Sequence, residues 1–377
     1  MVTKPTTPKP PPALGIPDSA YTVDVRVIDT GTLLHLNPSL FWQPPIDGFT
    51  GLHAPIYCFL VSHGSQHVIF DLGVRTDWEN YAPKIVSIIK ATTTVTPGSD
   101  VPSMLDEDTS GLGIRSADIG AVIWSHNHFD HVGDVSRFPL TTDLIVGPGV
   151  RGVSWPGWPS NPDGIVLDSD VEGRVVREVS FEAGLKIGHF DAMDFFGDGS
   201  FYLLDAPGHA VGHLCALART TANEPTFVFM GADACHHPGL LRPSNYLPLP
   251  SASTLAGVLT GPPQCPGELL QQLTLPDEPF FTVAPRMFPD HDAATDTVRK
   301  IQELDASDNC LVLIAHDLSL RDKIPLFPKT INGWKESQVK TETRWLFCND
   351  FMPALHHLDN KQGIEEELGK QSSLKCS

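Results

Sequence analysis

The residues best suited to chemistry gather in one short segment, His126-Asn-His128-Phe-Asp130-His131. Three imidazoles and a carboxylate within six positions follow Ala121–Trp124, an apolar run whose pattern predicts a buried strand. A loop leaving such a strand can turn these donors towards one point, and imidazole and carboxylate together suit Zn, Fe, Mn or Co. A site of this kind needs ligands from elsewhere, and three candidates stand in similar settings. His209 follows a run ending at Leu204 and a Pro-Gly turn, Asp233 comes just after Phe227–Met230, and His316 closes Leu311–Ala315. Chemistry gathered at strand ends by loops is a common arrangement.

Positioning these donors requires a sheet framework. Apolar or β-branched runs bounded by turn residues predict strands at Val23–Asp29, Ile56–Val61, Val68–Leu72, Ala121–Trp124, Leu144–Val146, Val175–Phe181, Phe201–Leu204, Leu214–Ala218, Phe227–Met230 and Leu311–Ala315. Helical patterns are fewer: Asn80–Lys90, Pro266–Leu273, and Asp292–Leu304 with Val298, Ile301 and Leu304 on one face. The mixture predicts sheets covered by helices, not a strictly alternating α/β wheel. Residues 1–20 read as a proline-rich extended leader, 21–352 as one domain, and 353–377 as a C-terminal tail. Three stretches, 91–111, 148–164 and 235–267, read as long loops of the kind that form lids or binding walls. The second contains Trp155 and Trp158, which makes it the expected substrate wall.

Composition narrows the function classes. The 377 residues carry a net charge of −19, which repels nucleic-acid backbones and anionic lipid. With 41% apolar and 19% charged residues the chain is a folding one, not a disordered one. Seven cysteines without a Cys-x-x-Cys pair indicate neither a disulfide framework nor a thiolate zinc site. The N-terminal stretch lacks the apolar core of a signal peptide, and no run approaches a membrane span. The expectation is a cytoplasmic protein with neither a nucleic-acid nor a membrane partner; a homodimer is allowed.

Taken together, His126, His128, Asp130, His131, His209, Asp233 and His316 resemble the signature of the metallo-β-lactamase superfamily, His-x-His-x-Asp-His followed by single His, Asp and His ligands in this order. The match runs from about Tyr21 to about Asp317. It implies an α/β fold, the αββα sandwich, with two mixed β-sheets face to face, helices outside and a dinuclear site along one edge. Carried over, His126, His128 and His209 bind one metal, Asp130, His131 and His316 the other, and Asp233 bridges them. Ile69-Phe-Asp-Leu-Gly73 resembles the family's first motif and implies that Asp71 holds a ligand histidine, although turn chemistry alone explains an Asp in that setting. Two divalent ions, most simply Zn2+ but also Mn, Fe or Co, sit ~3.5–4 Å apart in such sites and lower the pKa of a shared water from ~15.7 to near neutrality. The resulting hydroxide attacks a carbonyl, and Asp130 beside it can shuttle a proton to the leaving atom.

Within that superfamily, flavin-dependent diiron members have Glu where this chain has His128, and nuclease branches display basic surfaces. Three readings remain: opening of a cyclic amide or ester, thioester hydrolysis as in glyoxalase II, and mononuclear-iron persulfide dioxygenation. Ala206-Pro-Gly-His-Ala-Val-Gly-His213 resembles a motif that lactonases and glyoxalase II share, which leaves His213 as a supporting residue behind the ligands. Bacterial acyl-homoserine lactonases carry a tyrosine three residues after the bridging Asp, where this chain has His236. If it reaches the substrate carbonyl, that histidine is a candidate oxyanion donor or leaving-group acid; the alternative is that His236 and His237 are polar residues capping a loop. The leader, the long loops and Trp345-Leu-Phe-Cys-Asn-Asp350 look like fungal hydrolases of this superfamily, a group including lactamases that open plant benzoxazolinones. The expected partner is a small-molecule cyclic amide or ester, and the resemblance points to such a plant compound undergoing detoxification.

Overall fold

The computed structural model describes residues 7–261, 266–285 and 288–374. The first six residues of the leader, residues 262–265 of the third long stretch, and 375–377 of the tail lie outside the described residues.

Two six-stranded sheets form the centre. The first is ordered β1 (Asp24–Asp29), β2 (Tyr57–His63), β3 (Gln66–Phe70), β4 (Ile119–Ile123), β5 (Asp143–Val146) and β6 (Val176–Glu178). Its first two pairings are antiparallel and its last three parallel. The second sheet runs β7 (Leu185–Ile187), β8 (Phe190–Asp194), β9 (Phe201–Asp205), β10 (Leu214–Thr221), β11 (Thr226–Met230) and β12 (Cys310–Leu313). It is antiparallel until the final parallel pair.

The strands read as continuous apolar runs because both faces of each sheet are buried. Along β2, Phe59 and Val61 point into one core with Val25, Val27, Phe201, Leu203 and Ala216, whereas Cys58 and Leu60 point into the other. The first of these cores lies between the sheets. The second lies outside them, beneath helices such as Pro83–Thr92, which buries Ile85 and Ile89, and His291–Ala306, which buries Val298, Ile301 and Leu304. The layers are therefore helix, sheet, sheet, helix.

Several sequence expectations change. The stretches expected as loops contain helices: Val101–Asp106 within 91–111, Val150–Ser154 within 148–164, and Ala252–Val258 within 235–267. Local caps account for two of them, since Asp100 and Ser251 accept from the backbone N–H groups of Ser103 and Thr254. The tail is a helix, Met352–Leu374, that starts inside the core, where Ala354 and Leu355 are fully buried. The leader is extended but packed: Leu14 is buried, and the Pro17 carbonyl accepts from the Arg219 guanidinium. A small sheet of Leu33–Leu36, Leu52–Ala54 and Val95–Thr96 was not expected. Among the described residues no helix is long and apolar enough to cross a membrane.

Candidate metal centre

All seven candidate donors lie at the ends of central strands, where the chain leaves the sheets. His126, His128, Asp130 and His131 follow β4, His209 follows β9, Asp233 follows β11 and His316 follows β12. Two turns show how the backbone is forced there. Asp71, just after β3, has φ 63°, and Ala232, just before Asp233, has φ 43°. Such left-handed backbone in non-glycine residues costs on the order of 1–3 kcal/mol and persists where the surroundings impose it. Before His209, Gly208 has φ 122°, and a Cβ there would lie 2.1 Å from the Ala294 backbone nitrogen. Only glycine lets the helix His291–Ala306 approach this turn.

The donors form two groups sharing one carboxylate: His126, His128, His209 and Asp233, and Asp130, His131, Asp233 and His316. Within each, one ligand atom per residue lies within 4.8 Å of the others. In the first group His209 Nε2 lies 3.1 Å from His126 Nε2 and 3.0 Å from His128 Nδ1. In the second, Asp233 Oδ1 lies 3.1 Å from the Nε2 atoms of both His131 and His316. Yet Asp233 Oδ1, His131 Nε2 and His316 Nε2 are buried without a hydrogen bond. Three imidazole nitrogens converging on one point cannot all be satisfied by shared protons. Buried atoms arranged in this way fit cations at both groups.

Hydrogen bonds behind the donors set their tautomers. His131 Nδ1 donates to Asp71 Oδ2 at 2.8 Å, and His316 Nδ1 donates to the Pro55 carbonyl at 2.9 Å. Each leaves its Nε2 lone pair directed at the centre. His126 Nδ1 meets Ser125 Oγ at 2.9 Å, and the Ser125 backbone N–H donates to Asp71 Oδ1 at 2.7 Å. Asp71 thus uses both oxygens to brace the segment, beyond what a turn requires. His213 stands further back, its ring 5.0 Å from that of His126 and 5.6 Å from that of His209. Both its nitrogens are buried without a hydrogen bond, and burial pushes it down to about 3.

Burial holds His126 and His209 well below the usual imidazole range, as neutral ligands require. Burial would also raise Asp233, but the imidazoles of His131, His316 and His236 outweigh it and hold its carboxyl well below the usual range. At His131 burial is outweighed in turn by Asp233, Asp71 and Asp130, which raise it well above an ordinary histidine. Protons and a cation would therefore compete for the second group, and metal uptake there would release protons.

A cavity of about 320 Å³ opens over the donors, with His128, Asp130, His209, Asp233, His236 and His316 at its floor. Leu34, Leu36, Leu40, Phe41, Ile85, Ile88 and Phe129 form most of its walls, and no Lys or Arg among the described residues lines it. Three larger clefts, of about 560, 540 and 380 Å³, contain none of the donors among their described lining residues. The expectation that Trp155 and Trp158 wall the site is not met, since neither lines this cavity. Trp155 instead stacks on buried Trp124 at 5.7 Å and donates its indole N–H to the Leu167 carbonyl, and Trp158 packs against the same core. The walls come from segment 34–41 and helix Pro83–Thr92. Part of that segment was legible as Asn37-Pro38, an N-cap followed by proline, with the Asn37 side chain accepting from the Ser39 N–H.

His236 is 2% exposed, and its Nε2 lies 3.2 Å from Asp233 Oδ2. Its ring lies parallel to that of His316 at 5.8 Å and against Phe41 at 4.5 Å.

The chain is similar to known proteins over most of its length. The family described as "Metallo-beta-lactamase superfamily" matches residues 53–219. The gamma-lactamase FDB1 of Fusarium pseudograminearum is 43% identical over 95% of this chain and 89% of its own length. "Cytochrome P450 monooxygenase mpaDE" of Penicillium roqueforti is 53% identical over 92% of this chain, which spans only 39% of that relative's length. Among solved structures, an N-acyl homoserine lactone hydrolase with the product N-hexanoyl-L-homoserine at its catalytic metal center superposes with a TM-score of 0.54. It is 15% identical, and the match covers 82% of this chain and all of that one, so the likeness is one of fold. The family match and the similarity extending over nearly the whole of a relative agree, and the chain belongs to the metallo-β-lactamase superfamily.

Proposed function

We propose that the chain is a dinuclear metal-dependent hydrolase that opens a cyclic amide or ester of a small molecule. The observation that carries this reading is the pair of donor groups sharing Asp233 at the floor of an apolar cavity. His126, His128 and His209 would hold one divalent cation and Asp130, His131 and His316 the other, with Asp233 between them. Zn2+ suits such His and carboxylate sets. Bound cations would supply Lewis acidity and ionise water at neutral pH.

The chain's own residues supply the rest. Asp71 and the Pro55 carbonyl orient the two histidines of the second group. Asp130 faces the cavity, 3.6 Å from His316 Nε2, where its carboxylate can take a proton and pass it to the leaving atom. His236, also at the cavity floor, can donate to the substrate carbonyl or to the leaving group. The apolar walls exclude water from the reacting carbonyl and suit a flat, weakly polar ring. A benzoxazolinone of plant origin fits this description.

Metal analysis combined with a hydrolysis panel tests the proposal. Two metals per chain and chelator-sensitive opening of benzoxazolinone or an acyl-homoserine lactone are expected. Turnover of lactoylglutathione alone, or one iron per chain with oxygen consumption on a persulfide, would overturn it.

A further inference from the structure

Beside His236 stands a second buried histidine that faces away from the cavity. His237 has extended backbone, φ −160° and ψ 138°, so the two side chains point to opposite sides. Residues Phe41 and Trp42 divide in the same way. Phe41 lines the cavity and touches His236, while Trp42 packs on His237 at 5.6 Å. His237 is fully buried, with Phe49, Phe281, Phe347 and Phe351 presenting their rings roughly edge-on at 5.4–6.1 Å.

Two polar contacts relieve it in that aromatic cage. The Gly239 backbone N–H donates to its Nδ1 at 2.9 Å, so the ring proton resides on Nε2. Nε2 lies 3.2 Å from Asp350 Oδ2 and donates to it. Asp350 belongs to the turn Leu346–Phe351, whose Asn349 also fastens residues Val258 and Thr260. Among the described residues the His236 side chain, by contrast, has one polar contact, with Asp233, itself a candidate metal ligand, and its Nδ1 has no hydrogen-bond partner; its ring also packs on Phe41, Phe288 and His316.

We infer that the His237–Asp350 pair is a positioning device for His236, through which the C-terminal turn sets the placement of the cavity-facing imidazole. The inference rests on the hydrolase reading, in which His236 meets the substrate carbonyl or leaving group. Asp350 and His237 touch no reacting atom; they act by fixing the backbone from which His236 projects. Misplacement by about 1 Å is enough to cost roughly a hundredfold in rate.

The test is a double-mutant cycle on the full-length, metal-loaded chain, with metal content and melting temperature measured for each variant. Asp350→Ala is expected to lower kcat about tenfold to a hundredfold with a smaller change in KM, and to alter the pH profile as His236→Gln does. Asp350→Asn, which keeps an acceptor for His237 Nε2, restores most of the rate. In the His236→Gln background, Asp350→Ala adds no further loss. Gly239→Ala perturbs the same contact independently, because its Cβ would lie 2.7 Å from His237 Nδ1.

A second readout needs no turnover. Nitrogen-15 spectra of the histidine side chains should show His237 protonated on Nε2, and Asp350→Ala should shift or broaden the His236 ring signals while Asp350→Asn leaves them near wild type. Additive losses in the cycle, or unmoved His236 signals in Asp350→Ala, would overturn the inference while leaving the hydrolase reading intact. Wild-type protein inactive across the panel would instead remove that reading, and the spectra would still decide the positioning claim.

Discussion

Replacing Asp71 by Asn separates the two donor groups. The carboxylate accepts two hydrogen bonds, from the Ser125 N–H at 2.7 Å and from His131 Nδ1 at 2.8 Å. Asparagine tolerates the left-handed backbone at φ 63° but offers one acceptor oxygen. If that oxygen keeps Ser125, its amide N–H groups face His131 Nδ1 and favour the tautomer with the proton on Nε2, the atom aimed at the centre. Restoring the ligand tautomer then sacrifices a hydrogen bond to a charged group, worth about 1.5–3 kcal/mol. That range corresponds to roughly a tenfold to hundredfold weaker affinity, the usual cost of losing such a supporting partner. Chelator-competition titration of the metal-free protein should show the larger loss at one of two metals, since His131 bonds the Asp71 carboxylate directly whereas His126 is linked to it through Ser125. Equal weakening of both metals, or none, would refute the reasoning.

Phe41→Ala removes an aromatic wall beside His236 and should lower kcat/KM for an apolar lactam or lactone about tenfold, mainly through KM, at an unchanged melting temperature within a few degrees. Unaltered steady-state kinetics would remove Phe41 from the substrate wall. Trp155→Ala should do the reverse, leaving KM alone while lowering stability by about 2–4 kcal/mol in urea unfolding, because its ring packs on Trp124 instead of on the cavity. Burial pushes Asp170 up to about 7, so the fold binds a proton there that the unfolded chain, with a pKa near 3.9, releases. Its contribution is therefore favourable at low pH and decays as pH rises from about 4 to about 7, by up to about 4 kcal/mol. Asp170→Asn should stabilise the protein relative to wild type at pH 8 but not at pH 4, as read by urea midpoints; an equal effect at both would sink this assignment.

Ten of the twelve strands in the two large sheets were legible from their apolar runs, most of them buried on both faces, whereas β7 and β8, with their mixed exposure, were not. Leu33–Leu36, Leu52–Ala54 and Val95–Thr96 escaped because short strands in a small sheet carry too few residues to show a period. Trp155 and Trp158 misled because a large aromatic on a proline-rich loop signals burial without saying against what.

The local order His126-x-His128-x-Asp130-His131, with a single His, Asp and His following later strands, determined the donor set and the family, because ligand chemistry requires those side chains whatever surrounds them. Which atoms face the centre, which residues wall the cavity, and that His237 is tied to Asp350 across the fold were decided only by tertiary structure. These contacts join segments as far apart as Pro55 and His316. Their free energy comes from packing and desolvation at the assembled site, and no local spacing encodes a partner so distant in the chain.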